Sequence, residues 1–154
     1  MHIGHYIDLV YRTEKDLAIA LKKVSVAHGD EPDVYQTCRL LARWSEKMEE
    51  DMKPFFVKYK PEKDNEPDRL TQTLVKDTRK GGLALLRDLH DLYLIASEVQ
   101  ACCTILKQAA DGLRDKELLT TCEGVESQTK RQLNWLMTRM KAAAPQTLIV
   151  SEQK

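Results

Sequence analysis

A glutamate falls on each of four helical stripes that are otherwise largely apolar. At ~100° per residue, Glu14 sits at the centre of a stripe formed by Val10, Leu17, Ala18 and Leu21. Glu98 shares a face with Leu94, Ala101, Cys102 and Ile105, and Glu126 with Cys122, Thr129 and Leu133. Glu49 lies at a stripe's shoulder beside Ser45, Met48 and Met52, while Glu46 falls further out, between Arg39 and Lys53. A buried carboxylate is unfavourable unless it is protonated, paired or bound to a metal. One on each of four helices therefore points to a shared polar centre. Hard oxygen donors suit iron or manganese, with magnesium and calcium less typical of a bundle core.

Other reactive residue types lack the spacing that chemistry requires. His2 and His5 read as a frayed helix end, His28 as a helix-end cation beside the last carbonyls, and His90 as a polar edge residue. None of them has zinc-site spacing. Cys38, Cys102, Cys103 and Cys122 show no CxxC pairing. They read as buried thiols of a reducing compartment. Ser45 has no histidine at helical spacing to activate it. Gly81-Gly82 lacks the lysine and the strand of a phosphate loop.

The elements that must position the glutamates are helices. The first runs over Ile3–Ala27, with Gly29 ending it. The second runs over Glu31–Tyr59, with Pro32 in its first turn and Pro54 expected to kink or end its last. The charged, proline-broken stretch KPEKDNEPDR reads as a loop, and RLTQTLVKDTRK as a possible short helix. The third helix, Leu83–Leu113, is apolar over much of its circumference and is expected to be the most buried. A tight turn around Gly112–Asp115 leads to the fourth, Lys116–Lys141. The expected organisation is one bundle over residues 1–142, with a crossover at 60–82 and a flexible tail at 143–154. Short links join helices one to two and three to four, so each pair forms an antiparallel hairpin, and the long link crosses between the hairpins.

The totals agree with one all-α domain. The chain has 154 residues, 42% of them hydrophobic and only 6% aromatic. Its 24 Lys and Arg balance its 24 Asp and Glu, and the signs are interleaved. Such a chain has no general attraction to nucleic acid or anionic lipid. MHIGHYIDLVYR lacks the basic start and apolar run of a signal peptide, and no apolar segment is long enough to span a membrane. A cytoplasmic location is expected.

YRTEKDLAIAL, WSEKMEED, SEVQACCTIL and VESQTKRQL resemble the ligand-bearing segments of the ferritin-like superfamily, most of all its small bacterial stress-response members. The resemblance spans almost the whole chain through loose motifs. It implies a ferritin-like four-helix bundle and a di-metal site. Glu14 matches the first-helix ligand, Glu46-x-x-Glu49 and Glu126-x-x-Thr129 the Glu-x-x-His motifs, and Glu98 the third-helix ligand. Both histidines are replaced, which makes the set more acidic and changes how it would hold metal.

Three functional readings follow. The first is a metal-binding ferritin-like protein, holding iron or manganese in stress or redox protection. The second is a metal-free interaction or assembly protein with a vestigial site. The third is a hydrolase or transferase using a glutamate as base, for which the sequence shows neither cleft nor partner group. Trp135, placed off its helix's stripe among Arg131, Gln132 and Arg139, favours self-association as a homodimer. The apolar TLIV segment is expected to fold back on the bundle.

Overall fold

A computed structural model describes residues 1–60 and 77–150. It is an all-α bundle of four helices: α1 (Ile3–Ala27), α2 (Pro32–Lys58), α3 (Ala84–Leu113) and α4 (Lys116–Leu148). No described helix is long and apolar enough to cross a membrane.

Local chemistry sets most helix ends. Pro32 opens α2, where its missing N–H costs nothing, and Asp33 in the first turn complements the helix dipole. Pro54 does not stop α2, which continues to Lys58 and buries Phe55. Gly81 takes φ 94° just ahead of α3, a conformation that favours glycine, and its carbonyl accepts from the Ala84 N–H. The tight α3–α4 turn passes through Arg114, left-handed at φ 56°, and the Asp115 N–H bonds the Ala110 carbonyl. Asp115 then caps α4 by accepting the Leu118 N–H at 3.1 Å.

The tail expectation needs correction. Instead of ending at Lys141, α4 runs on to Leu148, through Pro145, with Ala143 buried. The alanines at 142–144 are strong helix formers, and Ala143 packs inward. Of the expected flexible tail, residues 151–154 lie outside the described residues. So do 61–76, which include much of the expected crossover and the possible short helix.

The order of the helices follows from which ends meet. The α1–α2 and α3–α4 hairpins are the most extensive pairings, followed by α1 with α3 and then α2 with α4. His28, just past α1, bonds Asp88 near the start of α3, so α1 and α3 are antiparallel. Lys58 and Tyr59 at the end of α2 bond Asp115 at the start of α4. Arg139 on α4 pairs with Glu31 and Asp33 at the start of α2. Hence α2 and α3 run in the same direction, and the two ends to be joined between them lie at opposite ends of the bundle, roughly 45 Å apart. A short turn cannot make that connection.

The core divides into two apolar clusters. One gathers Ile7, Val10, Met48, Met52, Val99, Cys103, Cys122 and Val125. The other gathers Leu17, Leu21, Cys38, Leu41, Leu92, Ile95, Leu133 and Leu136. On α1, α2 and α4 the residues between them are polar and buried: Glu14, Ser45, and Thr129 with Gln132.

Candidate functional site

This buried polar layer is where the expected site should lie, and only Glu14 of the five glutamates enters it. Glu14 is fully buried, flanked along α1 by Val10 and Leu17 from the two apolar clusters. Burial pushes its carboxyl from the ordinary 4.5 up to about 8; the nearby Ser45 hydroxyl opposes this, and the Glu49 carboxylate adds to it. Neither carboxyl oxygen has a hydrogen-bond partner of good geometry, so Ser45 acts on Glu14 as a neighbouring dipole without closing a bond.

Across the layer, Gln132 Nε2 donates to the Leu41 carbonyl at 3.1 Å and to Ser45 Oγ at 2.9 Å. That ties α4 to α2 inside the core. Gln132 Oε1 is buried without a partner, as the Glu14 oxygens are. Thr129 donates to its own helix at Val125 O, 2.7 Å away, which satisfies its hydroxyl locally.

The other four glutamates face elsewhere. Glu46 points outward and pairs with Lys22 of α1. Glu126 sits at the α3–α4 surface, 3.5 Å from both Lys107 and Lys130. Burial acts to raise its carboxyl, but the two lysines outweigh that and hold it below the usual value. Glu98 is half-buried on α3, and its partial burial pushes its carboxyl up. Glu49 is half-buried beside the layer and reaches Glu14 only through space. Their side chains do not converge on one centre. Among the described residues no group of three or more His, Cys, Asp or Glu is arranged to hold a metal ion. The expected iron or manganese ligand set, Glu14, Glu46, Glu49, Glu98 and Glu126, does not fit a di-metal centre in this arrangement.

Two more expectations change. Trp135 is half-buried and packs against the second apolar cluster, so it is no free anchor. His28 does not serve the α1 carbonyls through its side chain. Its Nε2 lies 2.8 Å from Asp88 Oδ2 in a buried pair, and Asp88 also accepts the Arg79 N–H at 2.9 Å. The four cysteines are buried and unbridged, as read from their stripes. Burial pushes Cys38, Cys102 and Cys122 up to about 12 and Cys103 higher still, so none is a ready thiolate.

The sequence reading missed Gln132. Its signal was present: residues 125, 129, 132 and 136 follow the three-and-four spacing of a buried stripe. Compared with family models, curated proteins and solved structures, the chain matches none.

Proposed function

We propose that this chain is an assembly protein, a ferritin-like bundle that uses its outward α3 face to bind a second copy of itself. The observation that carries this reading is a line of exposed apolar side chains. Leu83, Leu94 and Ile105 are 51%, 49% and 48% exposed. Their spacing at 83, 94 and 105 puts them on one face, about three turns apart. Single exposed leucines are ordinary, whereas an aligned series favours an interface.

The face is also self-complementary. A two-fold axis crossing α3 between Val99 and Gln100 sets Leu94 of one copy level with Ile105 of the other. The exposed Ala101 lies near that axis and lets the helices approach closely.

A single helix seam buries less than a standard interface, so association should depend on concentration. Light scattering across a concentration series should show a mass rising to twice that of the chain. Leu94→Asp and Ile105→Asp should each restore the single-chain mass while leaving helicity intact. An unmodified chain that stays at single-chain mass at several hundred micromolar would sink this reading.

A second reading has one specific observation in its favour. Glu14 presents two buried oxygens without hydrogen-bond partners, and the Glu49 carboxylate acts on it through space. These could serve a single divalent cation. Manganese(II) should then raise the melting temperature of the chain and fail to raise that of Glu14→Gln. Equal response of both proteins rejects it.

A further inference from the structure

A groove of about 370 Å³ opens on the α1–α2 surface, far from the α3 face. It is lined by Lys22, Ser25 and Val26 of α1 and by Arg39, Arg43 and Glu46 of α2. Its volume falls in the range of small-ligand sites. The ion pair between Lys22 and Glu46 neutralises one cation and the only lining carboxylate. Two guanidinium groups remain, four residues apart on one helix face, where like charges repel.

Neither arginine meets a carboxylate among the described residues. Arg39 is held by a neutral group: its Nη1 donates to the Tyr35 hydroxyl at 2.6 Å, and its guanidinium lies 5.2 Å from the centre of the Tyr35 ring. Stacking and hydrogen bonding fix its plane while leaving other N–H groups free. Arg43 is exposed and has neither hydrogen bond nor ion pair among the described residues.

We infer that the α1–α2 groove binds a small phosphoryl anion, with Arg39 and Arg43 as its two charged forks. Planar guanidinium forks match phosphoryl oxygens in a bidentate manner, and the stacked Arg39 loses little freedom on binding. Ser25 offers no hydroxyl hydrogen, because its Oγ donates to the Lys22 carbonyl at 2.8 Å. Recognition therefore falls to the arginines, with Val26 as an apolar wall.

The test is calorimetric titration of the full chain with inorganic pyrophosphate, with citrate as a carboxylate comparison. Pyrophosphate should bind saturably and more tightly than citrate. Arg39→Ala and Arg43→Ala should each weaken binding by about tenfold. Lys47→Ala removes a nearby cation that is already paired with Asp51 and should leave binding unchanged. Circular dichroism of each exposed-site variant checks that it folds. No saturable binding of pyrophosphate, equal binding of citrate, or equal loss in the Lys47 variant overturns the assignment. The groove shares no residue with the α3 face, so the solution mass tests that reading separately.

Discussion

Glu14 holds a proton that an exposed glutamate would have lost at neutral pH. Its carboxyl sits at about 8 in the folded chain against an ordinary 4.5, chiefly because burial disfavours the charge. Between those two values the folded state binds more protons than the unfolded state, so stability falls as pH rises across that window. Below about 4.5 the group adds no penalty for its charge; above about 8 the full charge penalty applies. Urea melts at pH 5 and pH 8.5 should show the unmodified chain losing on the order of 3–5 kcal/mol from this group. Glu14→Gln should lose that much less and be the more stable protein at the higher pH. Parallel losses in both would show that Glu14 is not the group responsible. The neutral acid explains how a lone carboxyl survives between two apolar clusters.

Helix ends carry the second tier of organisation. Asp115 caps α4 and also accepts hydrogen bonds from Tyr59 Oη at 2.6 Å and Lys58 Nζ at 2.9 Å, which fastens α2 to α4. The Tyr59 hydroxyl contributes most, followed by Lys58 and the Leu118 N–H; together they hold Asp115 down from 3.8 to about 2. Its stabilising effect is therefore present above about 3.8 and lost as pH falls through about 2. Asp115→Ala should cost about 1–2 kcal/mol at pH 7 from the cap alone, read from denaturant midpoints. At the other end, Asp88 accepts from His28 and from the Arg79 backbone while almost fully buried. Among the described residues Asp91 meets the exposed Arg79 side chain, at 3.0 Å. Asp88→Ala should thus cost on the order of 2–4 kcal/mol, and Asp91→Ala less than about 1 kcal/mol. Equal costs would mean that the buried pair is not what holds the start of α3.

At the scale of the molecule, the two parallel helices α2 and α3 are joined across the bundle's length, and the hairpins meet through α1 against α3. That arrangement leaves the far side of α3 exposed with its line of Leu83, Leu94 and Ile105. If two copies meet there about a two-fold axis, the register is set. A mixture of Leu94→Cys and Ile105→Cys chains should crosslink efficiently with a short bifunctional thiol reagent, and each variant alone should do so far less. The native cysteines are all buried and will compete little. Crosslinking of like with like at equal yield would rule out this register.

On α3 the face read as interior, with Leu94, Glu98 and Ile105, carries two exposed apolar side chains, but helix number, hairpin pairing and the stripes of the other three helices were readable, because they depend on local propensity and on the three-and-four spacing of apolar residues. Facing was not. Glu46 and Glu126 lie one shoulder away from the interior, and a lysine from a neighbouring helix draws each outward. A helical wheel contains no neighbouring helix, so it cannot show Lys22 or Lys107 competing for those carboxylates. The burial of Gln132 and Trp135 and the pairing of His28 with Asp88 have the same origin. Each depends on how one helix is rotated against another, and that rotation is decided only when the four helices pack together.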